Sequence, residues 1–592
     1  MNPVYFSLLI TAVAMPVGIW WRKASYALVI AGSLEMAVFT LLGSGNLAYP
    51  LAYFSLIASI AWILISIFSM TYSAGYGKWL TPLFAMTVFG MMVILESSDY
   101  VTFIIGWEIM SIPAYASIGL NKEHWNAAYV FMVFSEISTV FLVIGAIFAV
   151  QETGTMDFRF QSLASDLPLL LIAIGCMTKM GITPFMISEW LPIAHGNAPA
   201  NDSALFSATM TLMGVFGIAR IMLLSPSSIY LGFFMLAVGV LTVFFAALFA
   251  YVSENMKMLG GFSTIENNGS ILAAIGLYVA LGEGVLKTYL LAVIMIFALA
   301  HSVAKTGLFI GIGTTRKENF SEVDSSKNSF LTLGWFLVTM SLSGLLPTIG
   351  GLGTWMLLES FFMGAYQYGL IGIASVVAGS MIALAEGLAS ASMMKVLSFS
   401  QVHGHPKGSM KNSEGYVLLS TGVILILLFV LANFLIQPQF ISGLPSVLVY
   451  NGFTIQSKFS AADFGLISPL YVLVIIIFFA LAAYLVFDRR KGKLRIVPRW
   501  NGGVDFDQYY TSFAYASNIR LMLKGILRTR IRDGNRQMSV VDVFWFAMQS
   551  FASGYRRFAR QFAYRVMNSS ITWYMIYMIV AFMLVLILAF VI

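Results

Sequence analysis

Seven side chains able to carry or exchange protons lie in stretches where nearly everything else is apolar: Glu35, Glu108, Glu136, Lys179, His301, Lys305 and Glu386. A charged side chain at the centre of a bilayer costs about 2.5–3.5 kcal/mol on insertion scales, so such residues face protein or water and mark ion routes. Glu108 lies in Ile104-Ile105-Gly106-Trp107-Glu108-Ile109-Met110, and Lys179 directly precedes Met180-Gly181-Ile182-Thr183-Pro184. Burial disfavours an isolated carboxylate or ammonium, whereas bringing the two together favours both charged forms. A water-linked Glu108 and Lys179 would therefore switch the lysine between holding and releasing a proton; a static ion pair is the alternative reading. His301 and Lys305 are four apart, hence on one helical face, and an imidazole, which titrates close to neutrality, suits a relay continuing from the lysine. Structural hydrogen bonding is the alternative there. Glu136 and Glu386 are secondary candidates of the same kind, and Glu35 reads as structural.

The elements that must position these groups are membrane-spanning helices. The chain has 592 residues, 59% hydrophobic and 10% charged, against roughly 45–50% and 25% in a soluble globular protein. About sixteen segments reach the ~20 apolar residues that a spanning helix needs. The expected fold is all-α and polytopic, with three helices in residues 1–78, five in 79–225, five in 226–400 and two in 401–487. A basic segment follows in 488–570, carrying a C-terminal amphipathic helix from Val540 to Arg565, and a last span covers 571–592. Two spans contain helix breakers: Gly181 with Pro184 in the seventh, and Gly344 with Pro347 in the twelfth. Proline removes a backbone donor and clashes with the preceding turn, and unwound backbone at membrane depth survives only where protein or water satisfies it. The breaks are five spans apart. A unit of five crossings ends on the side opposite its start, so the next copy is inserted upside down. Spans 4–8 and 9–13 therefore read as inverted repeats, each with one broken helix, as in transport pathways.

Basic residues crowd one set of alternate loops (Arg22, Lys23, Lys78, Lys122, Lys257, Arg316, Lys317, Lys327, Lys395, Lys407, Lys411). The other set holds Arg159, Arg220, Lys287 and Lys458. By the positive-inside rule the first set is cytoplasmic, which puts both termini outside. Met1-Asn2-Pro3 lacks a basic n-region, so the first span is expected to stay in the mature protein. The net charge of +7 comes from residues 488–570, where Phe551, Phe558 and Phe562 alternate with Arg556, Arg557 and Arg560; this favours phospholipid head groups or an acidic partner over nucleic acid. One cysteine, Cys176, and five histidines are too few for an iron–sulfur, nickel–iron or zinc centre. No catalytic set, metal site or cofactor is therefore expected in this chain, and electron transfer would belong to another subunit.

From about Trp79 to Lys395 the sequence resembles the antiporter-like membrane subunits of respiratory complex I, energy-converting membrane-bound nickel–iron hydrogenases and Mrp antiporters. Trp190-Leu191-Pro192, Ala194-His195, Ala198-Pro199 and Ser203-Ala204-Leu205 match the family pattern W-L-P-x-A-H-x-x-A-P-x-x-x-S-A-L. Glu254-Asn255 with Lys257, Ser263-Thr264-Ile265-Glu266-Asn267, and His301 to Leu308 are similar to two further family motifs. The resemblance implies that Glu108 and Lys179 form the coupled pair of a first half-channel. It also implies that Lys305 with His301 serves a second half-channel and that Lys257 lies on the polar axis between them; His195, inside the longest motif, is a secondary candidate. Leu212 and Thr354 stand where many members have a lysine and a charged residue, so Glu359 or Glu386 is expected to serve as the exit group. Trp500-Asn501-Gly502-Gly503 with Tyr510, Thr511 and Phe513 resembles the large subunit of formate hydrogenlyase-type hydrogenases, with Gly502 in place of a cysteine. The implied protein is a non-catalytic, proton- or sodium-translocating subunit in a prokaryotic plasma membrane. Its partners would be other membrane subunits and peripheral iron–sulfur oxidoreductase subunits. A stand-alone Mrp-like antiporter and a membrane anchor with a degenerate channel are the alternatives.

Overall fold

Apolar runs broken mainly by serine, threonine and glycine can satisfy their backbone in lipid only as helices, and the computed structural model is nearly all helical. It describes residues 4–43, 49–157, 163, 165–183, 186–187, 190–222, 228–323, 328–367, 369–402, 412–435, 448–451, 454–459, 462–489, 512–523, 528–532, 537–541 and 543–566, with Met575, Ile576, Val580 and Met583. Pro184, His403, His405, the Trp500 to Thr511 motif and most of the span expected from Ile571 lie outside the described residues.

The chain opens with α1 (Val4–Trp20), α2 (Arg22–Leu41), α3 (Tyr53–Tyr72), α4 (Leu80–Glu96), α5 (Tyr100–Ile118) and α6 (Trp125–Thr153). Then come α7 (Asp166–Lys179), α8 (Trp190–Asn197), α9 (Ala200–Leu205), a π-helical turn (Phe206–Met210) and α10 (Thr211–Met222). The second run comprises α11 (Ile229–Val252), α12 (Met256–Ala280), α13 (Val285–Thr315), α14 (Ser329–Leu342), α15 (Ile349–Met363) and α16 (Leu370–Leu397). After these lie α17 (Asn412–Val430), α18 (Ala432–Leu435), α19 (Pro469–Arg489) and α20 (Ser512–Tyr515). Among the described residues nine helices are long and apolar enough to cross a membrane, and four shorter apolar helices accompany them.

Short strands appear where the sequence suggested only helix. β1 (Ile182–Thr183) and β2 (Met186–Ile187) pair antiparallel between α7 and α8, and β3 (Leu448–Asn451), β4 (Thr454–Phe459) and β5 (Ala462–Ile467) form an antiparallel sheet before α19. Thr454–Phe459 carries two β-branched residues and one aromatic residue in six, a content that suits a strand.

Residues 1–516 form one compact unit. Within it, Asp99 caps α5 by accepting from Thr102 N at 2.8 Å, and Asn255 caps α12 by accepting from Met258 N at 3.0 Å. Both caps satisfy helix-start donors that would otherwise lack partners. Glycines bring α4 against α5: a Cβ on Gly90 would fall 2.3 Å from Met110 N, and one on Gly106 would fall 2.9 Å from Ile94 N. The first two helices of the second run repeat that packing, since a Cβ on Gly239 would fall 2.6 Å from Ala273 N and one on Gly276 would fall 2.4 Å from Leu236 N. Most of α13, from Ala292 to Thr315, and the stretch Ala200–Met222 are buried, so polar side chains there meet protein and not lipid. Four basic residues assigned to loops from sequence, Arg220, Lys257, Lys287 and Lys395, are buried instead. Arg220 lies in α10 over the Phe216 ring, and Lys395, near the end of α16, donates to Ser253 O at 2.7 Å and to Glu254 Oε1 at 3.1 Å. Hydropathy places a basic residue beside an apolar run in a loop because it registers neither the ring face nor the distant carbonyl that receives it.

Residues 517–592 form a second unit, containing α21 (Ser517–Met522), the hairpin β6 (Arg528–Arg532) and β7 (Gln537–Val541), and α22 (Val543–Val566). The amphipathic helix thus starts at Val543, because Val540 is taken up by the hairpin.

Candidate functional site

Lys179 is the last residue of α7 and is 1% exposed. Its Nζ donates to Ser111 Oγ at 2.7 Å and Ser135 Oγ at 3.0 Å, and lies 5.5 Å from the ring centres of both Trp107 and Phe131. Hydrogen bonds to a charged group contribute about 1.5–3 kcal/mol each, and ring faces stabilise a desolvated cation further. Position is fixed by a crosslink among three helices: Trp107 Nε1 donates to Ser138 Oγ at 3.2 Å, and Ser138 donates to Gly175 O at 2.7 Å, one turn before Lys179. Glu108, half-buried, accepts from the Thr139 hydroxyl. Thr139 also lies 3.1 Å from Ser135 O, one turn from the hydroxyl that holds the lysine. Glu108 and Lys179 therefore contact residues one turn apart on the same face of α6, Thr139 and Ser135, with no direct ion pair between them among the described residues. Glu136 is exposed on α6 next to Ser135, near enough to Lys179 and Glu108 to interact with both electrostatically.

Just beyond Lys179 the helix stops. Gly181 adopts φ +80°, a left-handed conformation suited to glycine, and a Cβ there would press on Ile265 at 2.9 Å and Leu191 at 3.0 Å. The freed carbonyls are taken by protein, Met180 O by Asn268 Nδ2 at 2.8 Å and Thr178 O by Trp190 Nε1 at 3.0 Å.

A second arrangement surrounds α13. Lys305, fully buried, donates from Nζ to Ser263 Oγ at 2.6 Å, and Ser263 donates to Glu266 Oε2 at 3.3 Å. One turn earlier, His301 Nε2 lies 3.2 Å from Ser207 O in the π-helical turn, and π turns often mark functional positions. The second break separates α14 from α15. Gly344 adopts φ +63°, Pro347 is buried in the connection, and Thr348 caps α15 by accepting from Gly351 N at 3.3 Å. Beside this break lies a small cavity of about 20 Å³, room for about one water, lined by residues including Asn267, His301, Ser341, Thr354 and Glu386. His301 Nδ1, Ser341 Oγ and Glu386 Oε1 have no hydrogen-bond partner among the described residues.

The remaining candidates are distributed unevenly. His195, fully buried on α8, stacks on Phe309 at 4.6 Å and lies against α12, where a Cβ on Gly261 would meet its Cδ2 at 3.0 Å. Lys257, in the first turn of α12, is ion-paired with Glu318 at 2.5 Å and donates to Ala198 O at 2.9 Å; the Glu318 side chain is 39% exposed. Glu359 accepts from the Tyr289 hydroxyl, twelve residues and about 18 Å of helix before His301, so Glu386 and not Glu359 shares the cavity with His301. Sequence reasoning passed over Ser111, Ser135 and Thr139, and singled out Ser263 and Glu266 only as part of a motif, without a role of their own. The available signal was spacing: Ser111 follows Glu108 by three, and Ser135 precedes Thr139 by four, which aligns each pair on one helical face.

Residues 97–383 match the profile of the family described as NADH:quinone oxidoreductase/Mrp antiporter, TM. Among curated proteins, hydrogenase-4 component B of Escherichia coli is 27% identical over 58% of this chain and 55% of its own length. Formate hydrogenlyase subunit 3 of the same organism is 29% identical over 52% of each chain. The chain thus spans about half the length of these curated relatives. Among solved structures, a chain of the membrane-bound sulfane sulfur reductase, an archaeal respiratory membrane complex, superposes with a TM-score of 0.79 at 16% identity, covering 98% of this chain and 99% of that one. A chain of the Mrp complex from Dietzia sp. DQ12-45-1b superposes with a TM-score of 0.61 at 16% identity over 73% of this chain and 94% of that one. At such identity these superpositions establish a shared fold.

Proposed function

We propose that this chain, whose residues 97–383 match the NADH:quinone oxidoreductase/Mrp antiporter family, moves protons or sodium ions across the membrane as a non-catalytic subunit of a redox-driven complex. The observation that carries this reading is Lys179: an ammonium buried at membrane depth, held by two hydroxyls and two ring faces, beside an unwound helix. Among the described residues no carboxylate is in direct contact with its ammonium, so the charge is held mainly by neutral hydroxyls and ring faces. Glu108, in contact with Thr139 one turn from Ser135, is the carboxyl partner of the first half-channel. Lys305 and His301 serve the second, with Glu386 at the cavity as its exit group and His195 between the two. About sixteen spans, inverted repeats over 79–225 and 226–400, a cytoplasmic basic segment and outward termini complete the proposed topology. Partner subunits would supply the iron–sulfur and oxidoreductase chemistry, and phospholipid would contact the basic segment.

The test is ion translocation in vesicles holding the intact assembly. Lys179→Ala abolishes translocation while the assembly still forms; normal pumping by that variant would sink the reading. A second reading, a cation/proton antiporter that needs no oxidoreductase, draws support from the superposition on the Mrp complex chain. Purification from native membranes separates the two, because a redox-driven complex brings iron with it.

A further inference from the structure

We propose that Glu266 is the proton-carrying carboxyl of the second half-channel, exchanging a proton with Lys305 through the hydroxyl of Ser263. The inference rests on the translocation reading above. Glu266 is 1% exposed on α12, and Ser263 lies three residues before it on the same face. The Ser263 hydroxyl accepts from Lys305 Nζ at 2.6 Å and donates to Glu266 Oε2 at 3.3 Å. It is therefore oriented as a relay, with a donor on one side and an acceptor on the other. Glu266 Oε1 has no hydrogen-bond partner among the described residues. A buried carboxylate kept only for packing is expected to be hydrogen-bonded at both oxygens, whereas one that passes a proton onward needs an oxygen open to the next carrier.

Thr354, at the second break, cannot titrate, so the acid of this half must come from another helix. The titratable groups that line the cavity there are His301 on α13 and Glu386 on α16, and Glu266 is the neighbour of the lining residue Asn267 on α12. In the transfer, a proton on Lys305 Nζ moves to Ser263 Oγ as the hydroxyl proton moves to Glu266 Oε2. The ammonium and carboxylate become a neutral amine and a carboxylic acid, and the serine is unchanged. Glu266 then releases that proton to the next carrier on its Oε1 side, leaving a carboxylate beside the neutral Lys305 amine, and a new proton arriving at Nζ restores the starting pair.

Test this with vesicles containing the intact assembly, driven by its own oxidoreductase reaction or by an imposed sodium gradient, with interior pH read by a dye. Glu266→Gln keeps the shape and one hydrogen bond but cannot carry a proton; translocation falls by roughly 10²-fold, the lower end for removal of a positioned acid–base group. Glu266→Asp restores part of it. Infrared difference spectra of the assembly lose one carboxylic-acid band in Glu266→Gln, a change that a purely structural role does not produce. Should Glu266→Gln fail to assemble, Ser263→Ala decides, since it retains the carboxyl: slowed translocation supports the relay, and a normal rate overturns it. Wild-type translocation or an unchanged carboxyl band in Glu266→Gln also overturns it. Lys179→Ala is run alongside. If it is inactive while Glu266→Gln pumps normally, only the Glu266 role falls; if both pump normally, the translocation reading falls too.

Discussion

Lys179 and Lys305 are both buried ammonium groups, yet their surroundings differ. Around Lys179, two serines and two aromatic rings hold the charge, and the carboxyl of Glu108 stands further off, half-buried behind Thr139. Around Lys305, one serine separates the amine from the fully buried Glu266, and a cavity beside a broken helix lies one turn away at His301. The first arrangement holds charge without cancelling it directly, so a distant field can bias it. The second keeps opposite charges one hydroxyl apart, which suits a local exchange. Low-dielectric surroundings amplify both effects, because unit charges a few ångströms apart interact far more strongly there than in water.

Four substitutions break or sharpen this contrast, from the largest effect to the smallest. Ser111→Ala combined with Ser135→Ala leaves the Lys179 ammonium without hydrogen-bond acceptors in a buried site, where an uncompensated charge costs about 3–5 kcal/mol. Translocation is expected to stop while the Lys305 side stays folded, as checked by vesicle assays together with a native gel of the assembly. Gly90→Val drives a side chain into Met110 backbone, an overpacking that costs about 1–3 kcal/mol; a thermal melt of the detergent-solubilised complex reads the loss. Thr139→Val conserves volume but removes the donor to Glu108. Leaving a buried acceptor unsatisfied costs about 1–3 kcal/mol, so translocation should slow by roughly tenfold at equal expression. Glu136→Gln, on the exposed side of α6, should alter the rate by no more than about fivefold in the same assay, since an exposed charge interacts with its neighbours by only about 0.2–1 kcal/mol. A large effect there would instead bring Glu136 into the Lys179 route.

Much of the site could be read before any coordinates existed, for reasons that differ residue by residue. Lys179, Lys305 and His301 were conspicuous because each interrupts an apolar run, and the cost of placing them there demands a reason. Glu266 interrupts its run equally, but amid Ser263, Thr264, Asn267 and Asn268 it reads as one polar residue among several. Thr139 and Ser135 were invisible, because a hydroxyl in a membrane helix normally bonds back to its own backbone, as Ser69 does to Ile65 O at 2.7 Å. Lys257 was expected on the axis between the halves; its contacts with Glu318 and Ala198 O depend on helix ends that no local pattern fixes.

The order of amino acids by itself determined that this chain lives in a bilayer, that its helices break near Gly181 and Pro347, and that ionisable groups lie among its apolar spans. Those properties follow from the length of apolar runs, from the backbone limits of glycine and proline, and from the energetic cost of buried charge. Only the tertiary structure decided which groups meet. Ser111 and Ser135 reach Lys179 across 68 and 44 residues of chain, and the cavity at the second break draws its walls from α12, α13, α14, α15 and α16. Contacts so distant in sequence arise from how helices rotate and pack against one another, and glycines such as Gly90 and Gly239 set that packing by letting backbones touch.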